Sequence, residues 1–152
     1  MKIEGVFTIA ASRPVVWRHI TDPEIMGRCI PGCKSIAVTG EDSYQANIEV
    51  KLGPIKAKFN VEVEVTEEVE PDHILSHTRG EEGSRASVIS ADNILKLSDG
   101  ESGGTDVFYS SDVMVSGRLG KYGHGIMKKV AGNLSEKFAD KFRQEVEAGE
   151  GS

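Results

Sequence analysis

The chain of 152 residues holds two cysteines, one tryptophan and no long apolar run. Cys29 and Cys33 are too few for the disulfide framework of a secreted mini-protein, and two thiols alone cannot complete a four-ligand zinc site. Reduced, structural cysteines are expected. The opening MKIEGVFTIAAS carries no apolar block long enough for a signal peptide. No segment approaches the roughly 20 apolar residues of a spanning helix, so a soluble, cytoplasmic protein is expected. Excess positive charge is missing as well: 18 Lys and Arg stand against 24 Asp and Glu, for a net charge of −6. No basic patch rises from that background, which excludes a nucleic-acid partner held by phosphate neutralisation. The dense charge run is acidic, Glu62, Glu64, Glu67, Glu68, Glu70 and Asp72, and reads as a solvated strand edge with its turn.

What is present suits one globular domain: 38% hydrophobic and 28% charged residues. A chain of this length buries roughly 70% of its unfolded surface, enough to enclose a core or a modest cavity. Ile3, Phe7 and Ile9 alternate with Glu4 and Thr8, predicting a first strand that stops at Ser12. Ser12 and Asp22 are N-cap residues with Pro14 and Pro23 close behind, so two short helices are predicted over 13–20 and 23–29. Ile30-Pro31-Gly32-Cys33 then breaks the helix.

Six strands are predicted to follow. A short one carries Ile36 and Val38; the next alternates Tyr44, Ala46, Ile48 and Val50 with polar neighbours. After Gly53-Pro54, Ile55, Ala57, Phe59, Val61, Val63 and Val65 share one face, so a one-residue slip would bury every charge. Three more strands are predicted near 73–80, 85–97 and 105–116. In the second of these, Ile89, Leu95 and Leu97 share a face with Ser87, Ala91 and Asn93. A fully packed core would not call for those small and polar groups. From Leu119 to Val146 the period changes to nearly four, predicting an amphipathic helix of about 28 residues, roughly 42 Å long. The order is that of an α+β domain with helices on one face of an antiparallel sheet. It is expected to occupy 1–147, with a short disordered tail at 148–152.

Gly5-x-Phe7, Val16-Trp17, Asp22-Pro23-Glu24, Cys29-Ile30-Pro31-Gly32-Cys33, Gly53-Pro54-Ile55, Thr105 to Tyr109, Asp112-Val113-x-Val115-x-Gly117 and Leu119 to Gly123 occur in that order. In this the chain is similar to the CoxG family of carbon monoxide dehydrogenase subunits, over almost its full length. The resemblance implies a START-like, or Bet v 1-like, helix-grip fold: a curved seven-stranded antiparallel sheet, two short helices after strand 1, and a long C-terminal helix over an apolar cavity. It implies a non-catalytic accessory protein of molybdenum hydroxylases that binds a quinone or another lipid-like molecule, or helps recruit the enzyme to a membrane, with no cofactor of its own. Family members often continue through a linker to a membrane-anchoring tail. This sequence ends in Glu147-Ala148-Gly149-Glu150-Gly151-Ser152, so membrane contact is expected to be peripheral at most.

On that architecture the cavity walls are expected from Tyr44, Ile48, Phe59, Ile89, Met127, Leu134 and one of Phe108 and Tyr109, which as strand neighbours cannot both face inward. Met26, Met114 and Met127 read as core filling and Trp17 as a packing anchor. Gly120, Gly123, Gly125 and Gly132 cost roughly 1 kcal/mol each in a helix, which predicts either a loop-like helix start before Ile126 or space held open under the helix. The histidines, His19, His73, His77 and His124, are scattered; His73 and His77 lie about 13 Å apart on a strand, so no metal site is expected. Asp112 shares a strand face with Phe108, Ser110 and Met114 and reads as a structural hydrogen-bonding group. A polyketide cyclase or dehydratase of the same superfamily would pair it with Tyr109, but residues three apart on a strand point to opposite faces. A pure interaction module docking on an oxidoreductase is the third alternative.

Overall fold

A computed structural model describes residues 1–52 and 54–150. The chain runs β1 (Lys2–Ile9), α1 (Arg13–Ile20), α2 (Pro23–Cys29), β2 (Cys33–Gly40), β3 (Ser43–Leu52), β4 (Ile55–Val69), β5 (His73–Glu82), β6 (Ser87–Asp99), β7 (Thr105–Gly117) and α3 (His124–Glu150). The strands form one curved antiparallel sheet in the order β1-β7-β6-β5-β4-β3-β2. Its element order and type are those the alternation and cap signals predict.

Local chemistry accounts for the helices near the N-terminus. Asp22 closes the start of α2 by accepting hydrogen bonds from the backbone N–H groups of Glu24 (2.9 Å) and Ile25 (3.4 Å). Ser12 stands at the α1 N-cap in extended conformation without a side-chain cap. Gly32 then turns the chain with φ +78°, and a Cβ there would meet the Glu49 carbonyl oxygen at 2.0 Å.

The last helix begins later than the periodicity predicts. Residues Arg118–Tyr122 form a 3-10 turn instead, and α3 starts at His124. Glycines decide this: Gly117 (φ +87°) and Gly123 (φ +80°) take left-handed dihedrals at both ends of the turn, which side-chain-bearing residues avoid. The loop-like start before Ile126 is therefore what the glycines encode. At the other end α3 runs through Glu150, so 148–150 of the expected tail are helical; 151 and 152 lie outside the described residues, as does Gly53.

Among the described residues, apolar burial falls into two clusters. The larger joins Phe7, Ile9, Val16, Trp17, Leu97 and Val107 to Ala139, Phe142 and Val146 of α3. The smaller joins Ala57, Phe59 and Leu119, with Val50, Ile89, Met127 and Val130 packed around them. The central strands between the two clusters bear the cavity described next.

Candidate functional site

A cavity of about 300 Å³ lies on the concave face of the sheet. Its walls are the inward residues of β3 to β7, closed by Ile20 and Thr21 at the end of α1, Met26 of α2, Ile30, Ile36 and Phe138 of α3. Pleating places these side chains on one side: the register aligns Tyr44 with Val63, Ala46 with Val61, Ile74 with Leu95, and Leu95 with Tyr109.

One strip of this apolar wall is polar. Ser76, Asn93 and Ser111 stand opposite one another on β5, β6 and β7. The Asn93 amide donates to Ser76 Oγ (3.3 Å) and Thr78 Oγ1 (2.8 Å), while Ser111 Oγ donates to Asn93 Oδ1 (2.7 Å). Asn93 is one of the three inward residues of β6, with Ser87 and Ala91, that the sequence marked as unsuited to a fully packed core. On β6 the strip lies midway between Leu97 of the larger cluster and Ile89, which packs against the smaller one.

The expected wall residues divide. Tyr44, Ile48 and Tyr109 line the cavity. Phe59, Ile89 and Met127 belong to the smaller cluster under the start of α3. Leu134 is half-buried on α3 outside the lining, and the helix contributes Phe138, one turn further on. Phe108 takes the convex face, in register with Val6 and Lys96, which settles the choice between it and Tyr109. Simple alternation missed Val61, Val63, Val65, Ile74 and Leu95 as wall residues because a strand pattern identifies a buried face without telling core from cavity.

Tyr109 owes its place to Gly5. A Cβ on Gly5 would stand 2.4 Å from the Tyr109 hydroxyl, so the phenol lies across β1 only because that position lacks a side chain. Burial pushes the Tyr44 hydroxyl above its ordinary pKa, with Glu68 and Asp42 adding to the rise, so it stays a protonated donor.

Titratable groups do not converge here. Glu68 is the charged residue of the lining among those described, and it is exposed. Asp112 points to the convex face, its side chain 73% exposed and 4.0 Å from the N-terminal ammonium, away from Tyr109. His73 lies outside the lining, its Nδ1 bonded to Asp72 (2.5 Å) and its Nε2 to Glu67 (2.7 Å), and His77 pairs with Asp92. Among the described residues no group of three or more His, Cys, Asp or Glu side chains could hold a metal ion. Cys29 and Cys33 are free, and burial pushes the Cys29 thiol up to about 11, with Glu145 adding to it. A wider depression of about 490 Å³ between α2 and β2 is bordered by Glu24, Arg28 and Lys34 and gives no apolar enclosure. No helix of the described residues is long and apolar enough to cross a membrane.

Known structures share this frame. A conserved protein from Geobacillus kaustophilus superposes with TM-score 0.90 at 27% identity, over 97% of this chain and 96% of that one. A START superfamily protein from Mycobacterium smegmatis gives 0.76 at 16% identity over 97% of both chains. An aromatase/cyclase from a Streptomyces species gives 0.71 at 13% identity, over 97% and 93%. At such identities the latter two testify to the START-like fold alone. No curated protein matches the chain. The family model of the carbon monoxide dehydrogenase CoxG subunit, however, matches residues 5–147, from the glycine under Tyr109 to the last turns of α3, and the chain belongs to that family.

Proposed function

We propose that this protein is a non-catalytic accessory that holds a hydrophobic small molecule, a quinone or lipid-like compound, between the curved sheet and α3, in association with a molybdenum hydroxylase of the carbon monoxide dehydrogenase type. The observation that carries this reading is the cavity itself: about 300 Å³, walled by side chains such as Ile48, Val63, Leu95 and Phe138, with one exposed carboxylate in its lining among the described residues. That volume lies at the lower end of ordinary small-molecule sites. An acid–base mechanism needs groups placed within hydrogen-bond reach of one reacting centre. The cavity supplies two phenols and a surface carboxylate instead. Family membership supports the association with a carbon monoxide dehydrogenase-type enzyme.

The test is native mass spectrometry with a short-chain menaquinone, alongside thermal unfolding. One retained ligand per chain is expected, with a rise in Tm that grows with ligand concentration. Val63→Phe, which fills the wall, should fold and lose both effects. No retained ligand and no shift in the wild type would sink the reading. Co-purification with a molybdenum hydroxylase tests the partner separately.

A further inference from the structure

We infer that Asn93 is a specificity-determining positioning residue: it orients Ser76 as a hydrogen-bond donor toward the carbonyl oxygen of an uncharged guest. The inference rests on the cavity-binding reading above and names the chemistry of what binds there.

Counting donors and acceptors around Asn93 leaves two hydroxyl hydrogens over, those of Ser76 and Thr78, and of the two residues it is Ser76 that lines the cavity. An amide NH2 has two hydrogens, and Asn93 directs them at the hydroxyl oxygens of Ser76 and Thr78. Its carbonyl oxygen is taken by the Ser111 hydroxyl at 2.7 Å. Asn93 is therefore satisfied. Ser76 Oγ, having accepted from the amide, keeps its own O–H, and no other residue among those described accepts it. Ser76 lines the cavity, so that hydrogen is presented to whatever fills the space. An all-apolar guest would leave the donor unpaired, at the cost of a lost hydrogen bond. A guest with a carbonyl oxygen satisfies it.

Charge separates the remaining candidates. Among the described residues of the lining there is no Lys, Arg or His, and the one ionised group is the Glu68 carboxylate. A guest carboxylate or phosphate placed against Ser76 would be desolvated without a counter-charge. The chemistry recognised is thus a neutral, carbonyl-bearing apolar molecule with its oxygen inward on β5 and β6.

The experiment measures equilibrium binding of three probes of common skeleton, naphthalene, 2-acetylnaphthalene and 2-naphthoate, to the wild type, Ser76→Ala and Asn93→Leu. In the wild type the ketone should bind about fivefold more tightly than the hydrocarbon, and the carboxylate more weakly than the ketone. Both variants should lose most of that ketone preference while binding naphthalene at least as well as the wild type. Retained naphthalene binding also shows that each variant is folded. A ketone preference that survives in both variants overturns the inference, as does a carboxylate that binds more tightly than the ketone. If none of the probes binds the wild type, the cavity-binding reading falls first and this inference with it; binding without preference overturns this inference alone.

Discussion

From Phe138 to Val146, α3 buries Phe142 and Val146 completely, with Phe142 edge-on to Phe7 (centroids 6.5 Å, 81°) and stacked on Phe138 (5.6 Å). Between His124 and Leu134 the same helix leaves Ile126 54% exposed and carries Gly125 and Gly132, where an added Cβ would meet nothing within 4 Å beyond its chain neighbours and the helix's own backbone. The C-terminal half is clamped into the larger cluster. The N-terminal half meets the sheet through half-buried Met127 and Val130. The difference shows how a small domain keeps a cavity: dense packing at one end of the sheet stabilises the fold, α3 is held more loosely over the smaller cluster at the other, and the cavity lies between them, reached by Phe138 at the start of the clamped half.

The largest expected effect comes from attacking the clamp. Phe142→Ala should cost about 3–5 kcal/mol, read as a fall in urea midpoint at unchanged slope. Leu134→Ala, in the half-buried stretch, should cost clearly less; equal losses would break the comparison.

Next comes the ion pair that ties the 3-10 turn before α3 to β5. The Arg118 guanidinium donates to both oxygens of buried Glu82 and holds that carboxyl below its ordinary value of 4.5, against the opposing effect of desolvation. A lowered folded-state pKa gives stability that is present above 4.5 and lost as pH falls through the folded value. Arg118→Met should therefore destabilise the protein at pH 7, with the gap to wild type narrowing below pH 4.5. Amide exchange should accelerate around Leu119 to Val130 and stay unchanged over Phe138 to Val146. Uniform acceleration would mean that the two halves are one cooperative unit.

Filling the open half should have a smaller effect of opposite sign. Gly132→Ala should stabilise by about 0.5–1 kcal/mol, measured as a rise in Tm, because the added Cβ meets nothing and the unfolded chain loses freedom. Ala139→Gly, in the clamped half, should lose at least that much. The smallest effect is expected outside the cavity. Asp72 first and Glu67 second raise the His73 pKa above 6.5. A raised folded-state value gives stability that is complete below 6.5 and fades as pH rises through the folded pKa. His73→Gln should lower Tm slightly at pH 6, leave it unchanged at pH 9, and leave ligand retention untouched.

Much of this was legible in the residues. The Asp22-Pro23 start, the Pro31-Gly32 break and the six-residue alternation on β4 placed their elements because each depends on local dihedral and hydrogen-bonding preferences. Ser87, Ala91 and Asn93 among the apolar residues of one β6 face pointed to an incomplete core because polar groups are costly to bury without partners; Ser87 is nonetheless fully buried, its hydroxyl accepting from the Leu119 N–H (3.0 Å). The helix boundary was less legible, since a fourfold apolar spacing continues through Leu119 and Tyr122 whether or not Gly117 and Gly123 adopt positive φ.

By itself, then, the sequence determined which face of each strand and helix turns inward, because that is written in periods of two and about four along the chain. Only the tertiary structure decided what each inward face meets. Phe59, Ile89 and Met127 found one another and became core, while Tyr44, Ile48 and Tyr109 faced open space beside the polar strip. Core and cavity wall share one local pattern; the difference lies in what stands across the gap, which sheet curvature and the clamping of α3 set.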